Sequence, residues 1–260
     1  MEYIENYYSN YDEEARFDRK HNLVEMLTTM RYIQKYLKPD SYVLEVGAGT
    51  GRYSRAIADM GNAVQAVELA PHNIEVFKQH IKPNQNINII KGNALDLSMF
   101  ESNTFDISLV LGPLYHLYTD DEKAQVISEA LRVTKAGGVV FCAYCISDMS
   151  LLDAFNNGGL WIPEYLDNGK IDPITFKTTS THKDIFELVR KEDVDRIMSR
   201  FNVERLHYVA SDMVSRLIQK ELATMPDDIF EIYMRLHYSI CERADMVGST
   251  THSLDIFRKK

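Results

Sequence analysis

The sequence predicts an α/β fold built on a doubly wound, mostly parallel sheet of seven strands. Five short apolar runs alternate with stretches of helical periodicity, which is typical of buried parallel strands joined by helices. The first run leads directly into a glycine-rich turn. With 260 residues, 45% of them hydrophobic, the chain is large enough to bury such a sheet.

The first 38 residues precede the predicted sheet. Residues 1–14 carry four tyrosines among five acidic residues, and residues 23–37 place apolar side chains three or four positions apart. That spacing indicates an amphipathic helix, which must end before Pro39. We therefore expect a lid and a helix over residues 1–38, and we predict that the tyrosine segment orders over the binding site.

Residues 39–146 are predicted to form the core of the sheet. Gly61 stands where a left-handed residue would end a helix, and Pro71 stands where a proline would open the next one. Thr119 followed three residues later by Glu122 is typical of a capping box, and this interpretation is preferred over a charged site. The five predicted strands lie at 42–46, 63–67, 87–90, 105–111 and 139–146.

The alternation of strands and helices stops after residue 146. Glycines and prolines interrupt residues 147–181, which indicates an insertion rather than another strand–helix unit. Helical patterns over 191–201 and 226–243 precede strand-like runs at 203–209 and 253–257. We expect residues 147–250 to cover the substrate side of the binding site and to complete the sheet edge. Residues 251–260 are expected to form a final edge strand of the same single domain.

Charge and composition restrict the partners of this protein. Lys and Arg number 29 against 38 Asp and Glu, so the net charge of −9 repels phosphate backbones and disfavours nucleic acid. The longest apolar run, residues 139–146, is far shorter than the roughly 18 residues of a membrane span. Three cysteines are typical of a reducing compartment. We therefore expect a cytoplasmic protein without a membrane segment.

The most informative motif is the turn after the first strand. Gly47, Gly49 and Gly51 let the backbone turn tightly and approach a ligand where side chains would collide. Glu68 ends the second strand, 21 residues after Gly47, where a carboxylate can accept both hydroxyls of a ribose. The G-x-G-x-G spacing differs from the dinucleotide fingerprint G-x-G-x-x-G, and no Lys-Ser/Thr ending of a P-loop follows. NAD and nucleoside triphosphates are therefore disfavoured.

These residues resemble the class I S-adenosylmethionine-dependent methyltransferases, whose fold is Rossmann-like. Residues 45–51 are similar to the first motif of that family and Glu68 to its acidic ribose residue. Three further segments match in order, at 92–96, 105–111 and 131–138. One departure is Asn93, where the family often has Asp. The resemblance covers residues 41–146.

The resemblance implies S-adenosylmethionine as cofactor, S-adenosylhomocysteine as product, and a set of site roles. The backbone around Gly47 and Leu111 would hold the methionine end, Glu45 would orient its ammonium group, and Glu68 would hold the ribose. The Ala94 amide would meet the adenine. The implied cofactor-binding residues are Glu45, Gly47, Ala48, Gly49, Gly51, Glu68, Leu69, Asn93, Ala94 and Leu111.

The acceptor side is expected in residues 112–118, after the fourth strand. His116 is the candidate general base there, or else a positioning residue, and Tyr115 is interpreted as a pocket wall more than an acid. Methyl transfer from a sulfonium needs alignment and exclusion of water more than a protein nucleophile. The Asp/Asn-Pro-Pro-aromatic signature of amino-methylating nucleic-acid enzymes is missing from this segment.

No metal site is predicted. Cys142 and Cys145 lie three positions apart on a strand, so their side chains point to opposite faces and form neither a metal pair nor a redox pair. His21 and Glu25 are one helical turn apart, and we interpret them as a surface contact. The tail of Arg258, Lys259 and Lys260 is interpreted as a solvated end.

The leading hypothesis is a methyltransferase acting on a small-molecule acceptor by in-line transfer. A protein or RNA methyltransferase is the alternative among enzymes. A protein that binds S-adenosylmethionine without catalysing transfer is an alternative of another class. An open acceptor channel would favour catalysis, whereas a plugged one would favour the binding protein. The acceptor atom and the oligomeric state do not follow from the sequence.

Overall fold

The computed structural model describes residues 2–260 and contains one large sheet. Within those residues the strand order is β3-β2-β1-β4-β5-β8-β7, and a two-residue strand, β6, pairs with β5 beside this path. The strands are β1 (Tyr42–Val46), β2 (Ala63–Glu68), β3 (Ile87–Lys91), β4 (Phe105–Val110), β5 (Thr134–Ile146), β6 (Leu188–Val189), β7 (Val203–Ala210) and β8 (His252–Lys259). The doubly wound architecture predicted from the sequence is confirmed, with eight strands instead of seven. The predicted edge position of residues 251–260 is wrong, because β8 lies between β5 and β7.

Helices cover both faces of this sheet. They are α1 (Glu2–Tyr8), α2 (Lys20–Tyr36), α3 (Arg52–Asp59), α4 (Pro71–His80), α5 (Asp120–Val133), α6 (Ser147–Asn156), α7 (Ile162–Asp167), α8 (Lys191–Met198), α9 (Gln219–Thr224) and α10 (Asp227–Ile240). Short 3-10 helices occupy Glu14–Asp18, Pro113–His116 and Met213–Arg216. None of the helices within residues 2–260 has both the length and the apolar character needed to cross a bilayer.

The chain order reverses at β1, which fixes where a ligand can bind. β1 pairs in parallel with β2 on one side and with β4 on the other, with Val46 opposite both Val67 and Val110. The helices that follow β1 and β4 therefore leave the sheet in opposite directions. A crevice opens between the carboxyl ends of the two strands, as expected for a doubly wound sheet.

The final strands run differently from the others. β8 is antiparallel to both of its neighbours, β5 and β7, and His252 at its start lies opposite Cys145 near the end of β5. Because β8 is antiparallel to β5, its first residue lies at the edge of the sheet where the parallel strands have their carboxyl ends. The beginning of β8 is thereby brought to the same side as the crevice.

Side chains alternate across β5 and build two separate cores. Phe141 packs with Ile33 of α2 and Ile57 of α3 on one face, whereas Val140 packs with Ile127 of α5 on the other. This alternation follows from the period of two residues in a strand. The sheet is thus buried on both faces, which explains why its central strands are continuous apolar runs.

Local signals in the sequence predicted several helix ends correctly. Gly61 has φ of +89°, Pro71 is the first residue of α4, and Thr119 and Glu122 form the reciprocal capping box at α5. The short elements β6, α7 and α9 were missed, because two and six residues are too few to display a period, and α6 was missed within the predicted insertion. β5 begins at Thr134, five residues before the predicted strand.

The predicted solvated tail is wrong for two of its three residues. Arg258 and Lys259 belong to β8, where the Arg258 guanidinium contacts Glu204 at 2.8 Å. The Lys259 ammonium donates to the Thr134 carbonyl at 2.7 Å. Strand pairing with β7 places these side chains on the sheet. Cys142 and Cys145 are free and buried, and Cys142 packs in the Val140 core.

Candidate active site

The glycine-rich turn after β1 has the backbone conformation that its sequence predicts. The φ angles of Gly47, Gly49 and Gly51 are +71°, +54° and +80°. The amides of Gly47 and Ala48 both donate to the Val67 carbonyl, at 2.8 and 3.1 Å, so the turn is fastened to the end of β2. Left-handed backbone at three alternate positions accounts for the glycines.

Gly51 has a different role from the other two glycines. A Cβ at this position would lie 2.2 Å from the Phe77 ring of α4, and Gly51 immediately precedes α3. Gly51 therefore lets α3 and α4 pack closely. At Gly49, by contrast, the nearest atom to an added Cβ is the Cγ of Glu13, at 3.5 Å, so this position opens onto a cavity.

A cavity of about 380 Å³ lies at the crevice between β1 and β4. Eleven of the twelve residues proposed from the sequence line it, and Gly51 is the one that does not. The eleven are Glu45, Gly47, Ala48, Gly49, Glu68, Leu69, Asn93, Ala94, Leu111, Tyr115 and His116. Residues from 45 to 116 thus converge on one volume, which we call the cofactor cavity.

Two buried carboxyl groups face the cofactor cavity in different surroundings. Glu68 accepts backbone amides from Gly49 at 2.7 Å and from Ala70 at 2.8 Å. Burial raises the pKa of Glu68, and these amides oppose the effect. Glu45 accepts the hydroxyl of Ser54, and burial raises its pKa to about 8. Backbone amides thus hold Glu68 at the cavity, whereas a serine hydroxyl holds Glu45.

An unpartnered polar atom indicates that the cofactor cavity accommodates a polar ligand. The Oδ1 of Asn73 is buried without a hydrogen-bond partner in residues 2–260, and Asn73 lines the cavity. Buried polar atoms normally have partners. A ligand with several hydroxyl and amino groups would supply them. S-adenosylmethionine carries such groups, so the residues present fit it.

His116 is held between two elements that lie far apart in the sequence. Its Nδ1 donates to the Ile185 carbonyl at 2.7 Å, so Nε2 is the acceptor of the neutral ring. The Tyr8 hydroxyl therefore donates to Nε2, at 3.0 Å. Burial lowers the pKa of His116 to about 4, which keeps the ring neutral at ordinary pH.

The N-terminal segment covers the cofactor cavity. Tyr3, Tyr8, Glu13, Arg16 and Phe17 line it together with the sheet residues. The Tyr3 hydroxyl also donates to the His116 carbonyl at 3.2 Å. The lid predicted for residues 1–38 thus has its position over the cavity, whereas the ordering of this segment on ligand binding stays a prediction.

A second cavity, of about 470 Å³, adjoins the cofactor cavity. Four residues line both: Tyr8, Glu13, Arg16 and Tyr115. Its other walls include Trp161 of the insertion, Phe186 and Leu188 at β6, and His252 at the start of β8. Glu13, Arg16 and His252 were missed by sequence reasoning, because they come together only through the fold. The aromatic and acidic character of residues 1–14 was the one available signal.

The interpretation of His21 and Glu25 as a surface contact is wrong. Both side chains are buried, because the face of α2 that carries them packs inward. Glu25 instead lies with Asp212 and His252, and one ligand atom from each falls within 4.8 Å of the others.

Cationic side chains already pair with the two carboxylates of this group. Arg16 contacts Glu25 at 2.5 Å, and the Nδ1 of His252 contacts Asp212 at 2.8 Å. Burial alone would lower the pKa of His252, but the Glu25 and Asp212 carboxylates raise it well above its usual range. The group is therefore an internal ion-pair network that joins the lid, α2 and β8.

Comparison with known proteins agrees with this geometry. Residues 44–142 match the family model described as a methyltransferase domain. The chain is 25% identical over 162 residues to phosphoethanolamine N-methyltransferase 1 of Caenorhabditis elegans, covering 62% of this chain and 32% of that protein. It is 31% identical over 117 residues to demethylmenaquinone methyltransferase of Lysinibacillus sphaericus, covering 44% and 47%. The chain thus spans less than half the length of these curated relatives.

The fold is also found among solved structures. A SAM-dependent methyltransferase from Methanosarcina mazei superimposes with a TM-score of 0.58 at 17% identity, covering 88% of this chain and 96% of that one. The doubly wound sheet, the glycine turn and the acidic end of β2 define a nucleoside-binding α/β protein. Together with the family match over residues 44–142, they indicate a class I S-adenosylmethionine-dependent methyltransferase domain in that part of the chain, with S-adenosylmethionine as its cofactor.

Proposed function

We propose that this protein transfers the methyl group of S-adenosylmethionine to a small-molecule acceptor by in-line displacement. The observation that carries the proposal is the second cavity, because it adjoins the cofactor cavity and shares Tyr8, Glu13, Arg16 and Tyr115 with it. A protein that only bound the cofactor would need no second volume. Its size, about 470 Å³, lies in the range of small-molecule sites.

The chain's own residues would bind the cofactor and exclude water. Glu68 would hold the ribose hydroxyls, Glu45 would orient the ammonium group, and the backbone near Gly47 and Leu111 would hold the methionine end. The Ala94 amide, with Asn93 and Leu69 beside it, would meet the adenine. The bound cofactor supplies an electrophilic methyl group with a good leaving group, so alignment is the main task of the protein.

His116 and Tyr115 would shape the acceptor side. His116 holds the Tyr8 hydroxyl at 3.0 Å, and the Tyr115 hydroxyl donates to the Leu111 carbonyl at 3.1 Å. Because Nε2 of His116 is already an acceptor for Tyr8, we favour a positioning role over that of general base. Both residues would then keep the wall between the two cavities in place.

Location and partners follow from composition. The net charge of −9 disfavours nucleic acid, which weakens the RNA alternative. All three cysteines are free and buried, as is usual in reducing compartments, so we propose the cytoplasm. Methylation of a protein side chain is the alternative, in which a long side chain would enter the second cavity from outside.

Calorimetry and thermal unfolding with four ligands test the proposal. S-adenosylmethionine and S-adenosylhomocysteine should each bind and raise the melting temperature, and NAD and ATP should do neither. Ligand at about one hundred times its dissociation constant adds roughly 2.7 kcal/mol to the free energy of unfolding. Incubation with a metabolite panel should then yield S-adenosylhomocysteine. The proposal fails if neither sulfur ligand binds, and the non-catalytic alternative gains if both bind without turnover on small molecules or proteins.

A further inference from the structure

The second cavity combines aromatic walls with one carboxylate, Glu13, whose nearest cation, Arg16, lies closer to another carboxylate. The rings of Tyr7 and Tyr11 stack at 5.4 Å, and Tyr7 meets Tyr8 edge-on at 5.1 Å. All three rings line the cavity, together with Tyr115, Trp161 and Phe186. Stacked and tilted rings of this kind present negative faces, which attract cations.

The charged groups around the cavity are paired unequally. Arg216 contacts Asp153 at 3.4 Å, and His252 contacts Asp212 at 2.8 Å. Arg16 contacts Glu25 at 2.5 Å but Glu13 only at 3.6 Å. Each cation that lines the cavity therefore has a nearer carboxylate than Glu13. Glu13 is therefore the lining carboxylate that shares its cation, Arg16, with a nearer carboxylate.

The position of Glu13 is also special, because it lines both cavities. Its Cγ lies 3.5 Å from where a Cβ on Gly49 would stand, so it faces the glycine turn across the cofactor cavity. Its charged neighbours are Arg16 on its own segment, Glu25 of α2 and Glu68 at the end of β2. Burial, reinforced by the two carboxylates and opposed by Arg16, raises the pKa of Glu13 to about 7.

We propose that the second cavity binds the acceptor, that this acceptor is an amine, and that Glu13 removes its proton before methylation. The inference rests on the proposed function and deepens it. An ammonium group enters the aromatic walls and pairs with the Glu13 carboxylate. Amines arrive protonated at neutral pH, so a base at the junction of the two cavities is required before the nitrogen can react.

The chemical step balances as follows. The ammonium group gives one proton to a carboxylate oxygen of Glu13 and becomes a neutral amine. Its lone pair then forms the nitrogen–carbon bond to the methyl group of the cofactor, while the electrons of the carbon–sulfur bond remain on sulfur. The products are an N-methylammonium ion and S-adenosylhomocysteine, and Glu13 returns its proton to water when the site opens.

Binding of three matched probes tests the acceptor class. Wild-type protein saturated with S-adenosylhomocysteine is titrated with phenethylamine, 2-phenylethanol and 3-phenylpropanoate, which share a ring and a two-carbon chain. We expect the amine to bind at least about tenfold more tightly than the other two. Its affinity should rise from about pH 6 to about pH 8 as Glu13 ionises. Equal binding of the three probes, or preference for the alcohol or carboxylate, overturns the inference.

Variants assign the preference to particular side chains. Glu13→Gln, with S-adenosylhomocysteine again saturating, should lose the preference for the amine and its dependence on pH, and the exposed control Glu75→Gln should keep both. Tyr11→Leu should weaken the amine, whereas Tyr11→Phe, which keeps the ring, should not. If Glu13→Gln does not fold, the comparison of Tyr11→Leu with Tyr11→Phe still tests whether the amine binds in the second cavity. Failure of S-adenosylhomocysteine to bind the wild type would overturn the proposed function, whereas its binding without amine preference overturns this inference alone.

Discussion

Individual residues at this site owe their character to their surroundings. Glu45 and Glu68 are both buried at strand ends, yet a serine hydroxyl holds the first and two backbone amides hold the second. Gly49 and Gly51 belong to one motif, yet one faces a cavity and the other a phenylalanine ring. Residue type and spacing therefore predict that a position matters, and the neighbours determine how it acts.

Replacement of Glu68 tests the ribose assignment. Glu68→Ala should weaken S-adenosylhomocysteine by about 1.5 to 3 kcal/mol, the scale of hydrogen bonds to a charged group. Titration calorimetry measures the loss, with Glu75→Ala as a surface control. A folded Glu68→Ala protein with wild-type affinity would show that the ribose lies elsewhere.

Alanine at the two glycines should separate binding from packing. Gly51→Ala should reduce the free energy of unfolding by about 1 to 3 kcal/mol, because the new methyl group overlaps the Phe77 ring at positive φ. Gly49→Ala should reduce the free energy of unfolding less than Gly51→Ala does, because its Cβ contacts only Glu13. It should weaken cofactor binding more. Urea unfolding and calorimetry on both variants decide. Equal stability losses at the two positions would contradict this division of roles.

His116 gives a third residue-level prediction, to be measured once an acceptor is known. Because its pKa is near 4 and its Nε2 accepts from Tyr8, His116→Asn should lose less than about tenfold in single-turnover rate. A general base would instead lose about 10² to 10⁴, with an acidic limb near its pKa that disappears in the variant. A loss of that size with unchanged cofactor affinity would restore the base role.

Among the elements, the N-terminal segment contributes several side chains to both cavities. α1 and the 3-10 helix Glu14–Asp18 lie over both cavities, and α1 is attached to the site by the hydroxyls of Tyr3 and Tyr8. Little apolar surface of α1 is fully buried. A segment with few buried apolar contacts opens locally at a low cost in free energy, and lids over binding sites are typically segments of this kind.

Hydrogen exchange tests the lid. Amides of residues 2–18 should exchange more slowly when S-adenosylhomocysteine is bound, because the ligand adds contacts beneath the segment. The amides of β4 serve as an internal reference that ligand should change little. Identical exchange in the lid with and without ligand would indicate ordinary helix packing.

The elements also explain how far sequence reasoning reaches. The five parallel strands, the turn at Gly47 and the acidic end of β2 were predictable, because each is encoded by neighbouring residues. The meeting of Glu25, Asp212 and His252 was not, since it depends on the antiparallel pairing of β8 with β5. The burial of His21 was also not predictable, because it depends on which elements pack against α2. Local periodicity predicts which face of a helix or strand is apolar, whereas the packing of distant elements determines which residues that face contacts.

Across the whole molecule, the buried network around Asp212 ties distant parts together. Its carboxylate accepts the amides of Thr251 and His252 at 2.9 and 3.0 Å, and the Nδ1 of His252 at 2.8 Å. Arg16 and Glu25 extend the network to the lid and α2. Although burial acts to raise the pKa of Asp212, the imidazolium and hydroxyl partners lower it well below its usual value.

The pH dependence of stability follows from that shift. A carboxyl group with a depressed folded-state pKa stabilises the fold above its unfolded pKa, about 4, and the contribution disappears as pH falls through the folded value. Asp212→Asn should therefore cost about 3 to 5 kcal/mol at neutral pH and progressively less below about pH 4. Urea unfolding across pH measures this, with Asp121→Asn as an exposed control. A constant difference down to strongly acidic pH would argue against an ionised Asp212.

The place of β8 between β5 and β7 has a consequence for synthesis on the ribosome. β7 ends at Ala210, but the strand that joins it to the sheet begins 42 residues later, at His252. Translation adds about 5 to 20 residues per second, so β7 remains without its partner strand for roughly 2 to 8 s. During that interval all residues of β1 to β5 have been synthesised, whereas β8 has not. A chaperone that shields β7 would therefore act on this protein late in translation, after its glycine turn has already formed.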